Sequence, residues 1–400
     1  MKIVKHFFKL GMLALCLGGC SIGENDPSGG GNHQTKVNDG TFLYSGSSVS
    51  ALNTSISGDL VIPETYNGFT ITTIEKDAFK NCSNITSIVV PKTVTNIGES
   101  AFSGCLRLNS ITIPFVGLSP DKSGYGGHFG QIFGKTEYSG GIETSQSYKL
   151  SNPAFGSDPN GHNKYYIPAS LKKVTVTNAT TLVMGAFENC SMLTEINLND
   201  DIVAVGNLAF SGASQIEKVS LPNIYTIPEQ CFYKCTKLNE FVIGDNVTKI
   251  EEYAFESCIN LEMINSDVLG NFVIPENVIE VGEGIFSNCL KCVSVKAPFI
   301  GLSDSKTSGG GHFGQIFGMK KKDTGVTRVG SSYLNSIGQT VNNYYYVPNS
   351  LGYVTITNAS HVVMGAFENC SMLKNLKINK AAQSSVGTNA FKNCVEPTWY

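Results

Sequence analysis

A repeat of about 23 residues is the feature of this sequence that most restricts its fold. The segment "AFKNCSNITSIVVP", which begins at Ala78, starts again as "AFSGCLRLNSITIP" at Ala101. Spacings of 23, 22 and 23 residues separate Phe187, Phe210, Phe232 and Phe255, and 24 residues separate Phe367 from Phe391. A unit of this size buries too little apolar surface to fold alone, so the sequence predicts the stacked coils of a solenoid.

The repeat unit contains the pattern of a short strand. It reads A-F-x-x-C-x-x-L-x-x-I-x-I-P-x-x-V-x-x-I-G, and its L-x-x-I-x-I segment alternates over the last residues, which predicts a strand with one buried face. A proline follows where a continuing strand would need the N–H that proline lacks. We expect positive φ angles at the glycines that end the unit, which are Gly98, Gly206, Gly282 and Gly387.

The repeat motif resembles the BspA-like class of bacterial leucine-rich repeats over about Thr41 to Cys394. The opening stretch "GDLVIPETYNGFTITTIEKDAF" is similar to the first coil of that class. The resemblance implies a single leucine-rich-repeat solenoid over residues 41–400. We predict that it is mostly β, with one short strand per coil and little helix. The resemblance also implies an extracellular protein that binds or adheres, and it does not imply a reaction.

The N-terminus has the pattern of an export signal. Basic residues in "MKIVKHFFKL" precede the apolar run Leu10–Leu17, which is too short to span a bilayer, and "LGGC" resembles a bacterial lipobox. We predict a signal peptide over residues 1–19, lipidation of Cys20 and a flexible polar tether over residues 20–40. The sequence therefore predicts an exported protein that is lipid-anchored at the outer membrane and cell surface of a Gram-negative bacterium.

Charge excludes nucleic acid as a partner. Removal of the three lysines of the signal peptide leaves 26 basic against 32 acidic residues, a net charge of −6. Charged residues make up 15% of the chain, against about 25% in an average globular protein. The surface is therefore polar and nearly neutral, without the basic patch of a nucleic-acid-binding protein.

Two related insertions interrupt the repeat, at about residues 115–167 and 299–347. The motif "GGHFGQIFGKT" of the first resembles a nucleotide-binding P-loop that lacks one residue. The second insertion keeps "GGHFGQIFG" but continues with Met319 and Lys320, so the lysine and hydroxyl that a phosphate loop needs are lost. We therefore predict no nucleotide and no cofactor.

The retained motif is better explained by packing. We predict that its apolar residues anchor the insertions, and that His128 and His312 are hydrogen-bonded structural residues; the anchors are Phe129, Ile132, Phe133, Phe313, Ile316 and Phe317. The polar loops over residues 135–163 and 319–343 differ between the insertions, and such variable loops on a rigid scaffold are where binding usually occurs.

The cysteines follow the repeat. Eight occupy the slot three residues after the repeat aromatic, namely Cys82, Cys105, Cys190, Cys235, Cys258, Cys289, Cys370 and Cys394. Cys231 and Cys292 fall on other inward-facing slots. We therefore predict a column of buried thiols and no metal site. The spacing of the coils also permits disulfides between them, and the sequence does not decide whether they form. No histidine stands in a recognised catalytic motif, so we predict that the protein is not an enzyme.

The leading functional hypothesis is a non-catalytic module that binds or adheres to a host or matrix protein. Its predicted binding face consists of the outward side chains of the middle strands, which are Lys173, Thr175, Thr177, Glu195, Asn197, Asn199, Lys218, Ser220, Glu240 and Val242. A surface glycan-binding protein is one alternative, with the insertion aromatics Tyr165, Tyr166, Tyr344 and Tyr345 as candidate contacts. A periplasmic structural scaffold is the other.

Overall fold

The computed structural model of the protein describes residues 36–148, 161–320 and 324–400. The predicted signal peptide over residues 1–19, the lipidated Cys20 and the tether up to residue 35 lie outside these ranges. The tether was predicted to end too late, at residue 40, because β1 (Val37–Asn38) already pairs with β2 (Phe42–Ser45). The folded part therefore begins before Thr41.

A column of mainly parallel strands, numbered in chain order, forms one side of the solenoid, which we call the strand face. Its first part is a five-stranded sheet of β4 (Ser57–Val61), β8 (Asn84–Val89), β10 (Ser110–Ile113), β13 (Lys173–Val176) and β15 (Glu195–Asn197). Its second part is a seven-stranded sheet of β18 (Glu240–Phe241), β20 (Met263–Ile264), β21 (Asn271–Val273), β23 (Ser294–Ala297), β26 (Tyr353–Ile356), β27 (Asn375–Ile378) and β28 (Thr398–Trp399). The strands of L-x-x-I-x-I are thus confirmed.

The prediction of one strand per coil is incomplete, because several coils contribute a second short strand. These strands are β7 (Thr73–Ile74) with β9 (Asn96–Ile97), β14 (Thr181–Leu182) with β16 (Ala204–Val205), and the three-stranded sheet of β17 (Thr226–Ile227), β19 (Lys249–Ile250) and β22 (Glu280–Val281). They come from the V-x-x-I-G part of the unit, whose isoleucine or valine points into the core in most of these strands. Each of these strands is only two residues long, so the alternation of buried and exposed residues that identifies a strand in a sequence is too short to detect.

The remaining strands form antiparallel pairs and lie at the N-terminal end and in the two insertions. β3 (Ser48–Ala51) pairs with β2, and β5 (Thr65–Tyr66) pairs with β6 (Phe69–Thr70). Hairpin 1 consists of β11 (Gly141–Ser147) and β12 (His162–Pro168), and hairpin 2 of β24 (Val326–Leu334) and β25 (Thr340–Pro348). The helices among the described residues are short 3-10 turns, η1 (Gly124–Gly127), η2 (Phe129–Ile132), η3 (Gly309–Gly311), η4 (Phe313–Phe317) and η5 (Lys380–Ser384).

The repeat aromatics stack in a column through the core. Phe210 lies between Phe187 and Phe232, with ring centroids 5.8 and 5.3 Å away. The first insertion continues this column, because Phe133 packs on Phe102 and Phe129 packs on Phe187. The "HFGQIFG" motif thus takes the place of one repeat aromatic, and its predicted role as a packed anchor is confirmed.

The glycines that end each unit are needed for a close approach and not for a positive φ. Gly98 and Gly206 lack the predicted positive φ. A Cβ at Gly98 would lie 2.3 Å from the backbone nitrogen of Lys76 in the preceding coil, and a Cβ at Gly206 would lie 2.3 Å from that of Met184. Any side chain at these positions would push two coils apart.

The positive φ angles occur instead beside the repeat aromatic and cysteine. Asn81 and Asn189, which precede Cys82 and Cys190, have φ of 62° and 57°. Asparagine tolerates this left-handed conformation better than most residues. It turns the N–H of Asn81 toward the carbonyl of Ser103 in the next coil, 2.7 Å away. The recurrent Asn-Cys pair therefore joins neighbouring coils.

The prediction of buried thiols is confirmed for nine cysteines, whereas Cys394 in the last coil is half-buried. All ten cysteines after Cys20 are free thiols. The Sγ atoms of Cys105 and Cys258 donate to the carbonyls of Phe79 and Phe232, at 3.2 and 3.0 Å. Burial also raises the pKa of the Cys82 thiol to about 11. These side chains are unreactive core residues.

Candidate binding surfaces

A cleft divides the strand face between its two sheets. The five-stranded sheet ends at β15, residues 216–221 of the next coil are irregular, and the seven-stranded sheet begins at β18. The cleft has a volume of about 620 Å³ and is lined by Thr194, Glu195, Ile196, Asn197, Leu198, Glu217, Lys218 and Ser220. Sequence analysis missed it, because residues 216–221 have the same apolar pattern as their neighbours.

The cleft opens only on the strand side of the solenoid. On the opposite side the same coils are joined by hydrogen bonds, since the N–H groups of Phe187 and Asn189 donate to the carbonyls of Ala209 and Ser211 at 2.7 Å each. The two coils are therefore in contact at the aromatic column and separated at the strand face.

One edge of β15 faces the cleft. The N–H of Glu195 donates to the carbonyl of Lys172, on the side of β13. Because successive backbone groups of a strand point to opposite edges, the N–H and C=O of Ile196 point toward the cleft. The middle of the strand face thus offers backbone hydrogen-bonding groups of the kind that a sheet edge offers to an added strand.

The predicted face residues lie around this cleft. Ion pairs join Lys173 to Glu195, at 2.7 Å, and Lys218 to Glu240, so the charges of the two lining residues are each paired with a residue of the neighbouring coil. Hydrogen bonds from Lys173 and Asn197 hold the pKa of Glu195 below its usual range. Thr175 is half-buried, and Asn197 and Ser220 are exposed at the rim. The structure places Lys173, Thr175, Glu195, Asn197, Lys218, Ser220 and Glu240 on the strand side, and Glu195, Asn197, Lys218 and Ser220 line the cleft.

The insertion histidines are buried and hydrogen-bonded. His128 Nδ1 lies 3.2 Å from the hydroxyl of Tyr165, and His312 Nδ1 lies 2.8 Å from the hydroxyl of Tyr345. Burial lowers the pKa of His128 to about 4, and it also lowers the pKa of His312. Their predicted structural role is confirmed.

Tyr165 and Tyr345 are wrongly assigned as candidate glycan contacts. Both rings are fully buried, so neither can stack on a ligand. Each packs against the insertion motif, where a Cβ at Gly130 would lie 2.3 Å from the Tyr165 ring and a Cβ at Gly314 would lie 2.5 Å from the Tyr345 ring. Strand alternation was the missed signal, because one member of each Tyr-Tyr pair must face inward.

The other two candidate tyrosines face outward. Tyr166 donates from its hydroxyl to Glu143, 3.1 Å away, and Glu143 also forms a 2.9 Å ion pair with Lys164. Tyr344 is 44% exposed, and the guanidinium carbon of Arg328 lies 3.6 Å from the centre of its ring. The equivalent surfaces of the two hairpins therefore carry different chemistry.

Each hairpin is also fixed to the solenoid by a buried glutamate that sequence analysis missed. Glu188 accepts the N–H of Ser147 at 2.6 Å, and Glu368 accepts both the N–H and the hydroxyl of Ser332, at 3.0 and 2.6 Å. The available signal was the repeated "MGAFENCSML" after each insertion, which places a glutamate beside the aromatic. The hydroxyl of Ser147 also lies 2.7 Å from His162 Nδ1. The serine side chain is buried, so this serine–histidine contact is not open to solvent.

Comparisons with known proteins agree with this architecture. A family model described as a BspA type leucine-rich repeat region matches the chain in six copies, over residues 60–118, 161–268, 265–304 and 333–398. No curated protein matches the sequence. None of the residues in the three described ranges forms a helix of the length and apolarity that a membrane span requires.

Several solved structures are similar to the chain. A leucine-rich repeat protein from Bacteroides ovatus ATCC 8483 is 19% identical, with 91% of this chain and 79% of that chain covered and a TM-score of 0.45. A leucine rich cell surface protein from Faecalibacterium prausnitzii A2-165 is also 19% identical, with 92% and 76% covered and a TM-score of 0.35. The pneumococcal vaccine antigen PcpA is 14% identical, with 80% and 94% covered and a TM-score of 0.31.

Proposed function

Because the chain belongs to the BspA-type leucine-rich-repeat family of bacterial surface proteins, we propose that it is a non-catalytic module that binds a host or matrix protein. Lipid attached to Cys20 anchors it at the cell surface. The observation that carries the proposal is the cleft in the strand face.

The cleft suits an extended segment of a protein partner. The backbone groups of Ile196 offer hydrogen bonds that any peptide can use, in the manner of strand addition to a sheet edge. Asn197 and Ser220 at the rim supply small polar groups, and Leu198 supplies apolar contact. The charges of Glu195 and Lys218 are already paired with neighbouring strands, so Glu217 is the charge that the cleft offers, and the cleft favours a polar partner segment with a basic side chain.

Binding of the mature protein to immobilised collagen, laminin and mucin tests this proposal. Ser220→Arg places a long charged side chain at the rim of the cleft, and we expect at least a tenfold loss of affinity, equivalent to about 1.4 kcal/mol. Thr355→Arg is the matched control, because Thr355 faces outward from β26 and does not line the cleft.

Equal binding of wild type and Ser220→Arg would place the contact elsewhere on the surface. Failure of the wild-type protein to bind any of the three proteins would count against the matrix-binding proposal and favour a structural scaffold. Binding that disappears when the mucin is deglycosylated would favour the glycan alternative, for which Tyr344 is the exposed aromatic candidate.

A further inference from the structure

Hairpin 2 presents a row of apolar, aromatic and cationic side chains to solvent. The strand register pairs Arg328 with Tyr346, Gly330 with Tyr344 and Leu334 with Thr340, so these pairs lie on one face of the hairpin, which the buried Ser332 interrupts. Leu334 is 51% exposed and Ile337, at the tip, is 74% exposed. We call Arg328, Leu334, Ile337 and Tyr344 the outer strip. It extends about 20 Å along β24, at roughly 3.4 Å per residue.

The aromatic end of the outer strip is held in one arrangement. The ring of Tyr344 lies across the strand on Gly330, where a Cβ would be 3.1 Å from the ring. Arg328 stacks on the ring at 3.6 Å. Tyr344 fits there because residue 330 has no side chain, and a stacked guanidinium loses less conformational freedom when it binds than a free one.

The apolar end of the outer strip is held equally firmly. The side-chain oxygen of Asn335 accepts the N–H groups of Ile337 and Gln339, at 3.1 and 2.9 Å. The N–H of Asn335 donates to the carbonyl of Gln339 at 2.9 Å, which closes the turn. An ordered turn therefore holds Ile337 in solvent, where 74% of the residue is exposed to water.

Hairpin 1 has the same framework with a different exterior. Its register pairs Glu143 with Tyr166 and Ser145 with Lys164, so Glu143 stands where hairpin 2 has Arg328, and Lys164 stands where it has Tyr344. Glu143 and Lys164 neutralise each other in an ion pair. The aromatic end of the outer strip is thus not a requirement of the hairpin fold, since an ordinary solvated ion pair takes its place in hairpin 1.

We propose that the outer strip is a second docking surface, for a partner protein with an apolar pocket that receives Ile337 and Leu334 and acidic groups that meet Arg328. Tyrosine and arginine are the residues that most often dominate protein interfaces, and preorganised side chains lower the entropy lost on binding. A glycan would use Tyr344 and Arg328 but would gain nothing from the two aliphatic side chains. The outer strip shares no residue with the cleft and goes beyond the function proposed for it.

Two double variants of the mature protein test the outer strip against immobilised collagen, laminin and mucin. Leu334→Ser with Ile337→Ser removes the apolar end, and Arg328→Glu with Tyr344→Lys rebuilds the ion pair of hairpin 1. We expect each to lower affinity at least tenfold for a protein that the wild type binds. Glu143→Ala with Lys164→Ala, the control on hairpin 1, should bind within twofold of wild type. Hydrogen exchange of hairpin 2 verifies that the variants remain folded.

The outcomes separate the outer strip from the cleft. Loss of binding in both hairpin 2 variants, with or without loss in Ser220→Arg, supports the outer strip. Wild-type affinity of both hairpin 2 variants overturns it, even where Ser220→Arg loses binding. Loss in Arg328→Glu with Tyr344→Lys alone, together with sensitivity to deglycosylation, overturns the protein partner in favour of an acidic glycan. Absence of wild-type binding to all three proteins overturns both proposals for these partners.

Discussion

The two insertions are alike inside and different outside. Both bury the aromatic anchors of "HFGQIFG", both pair a histidine with a tyrosine, and both fix the hairpin through a glutamate and a serine. Outside, Glu143 and Lys164 of hairpin 1 correspond to Arg328 and Tyr344 of hairpin 2. The comparison separates residues that hold the insertion on the solenoid from residues that are free to carry a binding function.

The largest loss of stability is expected when a buried aromatic anchor is removed, and the loss should be similar in both insertions. Phe129→Ala and Phe313→Ala each leave a gap beside the aromatic column, next to Phe187 and Phe367. Large-to-small changes of this kind cost about 3 to 5 kcal/mol. We expect faster hydrogen exchange in hairpin 1 for the first variant and in hairpin 2 for the second. Hydrogen exchange is the appropriate readout because solenoids open locally. A loss below about 1 kcal/mol in one copy would show that its anchor is not structural.

Acid should lower the stability of both insertions. The pKa of His128 is lowered to about 4 by burial, against about 6.5 for an ordinary histidine, so the folded state favours the neutral ring. The stabilisation is complete above pH 6.5 and is lost as the pH falls toward 4, by up to about 3 kcal/mol. The pKa of His312 is lowered in the same direction.

Local stability of each hairpin between pH 7 and pH 4.5 measures this effect. His128→Gln, which does not titrate, should flatten the pH dependence of hairpin 1 and leave that of hairpin 2 unchanged. A pH dependence that persists in this variant would mean that other groups cause the acid sensitivity.

Substitution of the two buried glutamates should change the stability of the hairpins by a smaller amount, and the change should have opposite signs in the two copies. Burial raises the pKa of Glu188. The pKa of Glu368 is lowered despite its burial, because Ser332 and Lys392 donate hydrogen bonds to it. In the coil that follows Glu188, Ser211 stands where Lys392 stands in the coil that follows Glu368. Ser211 is buried, because a further coil covers it. In the last coil the solvent-exposed Lys392 takes this position and forms an ion pair with Glu368, 3.2 Å away.

The sign follows from these directions. Glu188 contributes stability that is present below its unfolded pKa and lost as the pH rises through its raised pKa. Glu368 contributes stability that is present above its unfolded pKa and lost as the pH falls through its lowered pKa. At pH 7 we expect Glu188→Gln to stabilise hairpin 1 and Glu368→Gln to destabilise hairpin 2, each by about 1 kcal/mol or less. Hydrogen exchange of the two hairpins measures both, and equal signs would contradict the assignment.

Sequence predicted the features that repeat and missed those that depend on one place in the stack. The 23-residue period and the alternation around Ile111 predicted the solenoid, its strands and the outward side chains of the strand face. The same alternation, applied to Tyr165 and Tyr345, would have placed these residues in the core. The cleft escaped prediction because residues 216–221 have the repeat's pattern but do not pair with β15, which depends on how neighbouring coils stack.

Contacts between distant residues also escaped prediction. Ser147 and Glu188 are separated by 41 residues, and nothing in either local pattern identifies the partner. The close approach at Gly98 was read as a turn because a glycine permits both, and only the position of Lys76 in the preceding coil distinguishes them. Only the three-dimensional stacking supplies this information.

Accessibility on intact cells tests the central claim most directly, because a binding module must face outward to use the cleft or the outer strip. An epitope tag between residues 149 and 160 and another after Tyr400 are followed while intact cells are treated with a protease that cannot cross the outer membrane. The account predicts that the tagged region is cleaved or released from intact cells. Protection of both tags until the outer membrane is opened, followed by cleavage, would contradict it and identify the protein as a periplasmic scaffold.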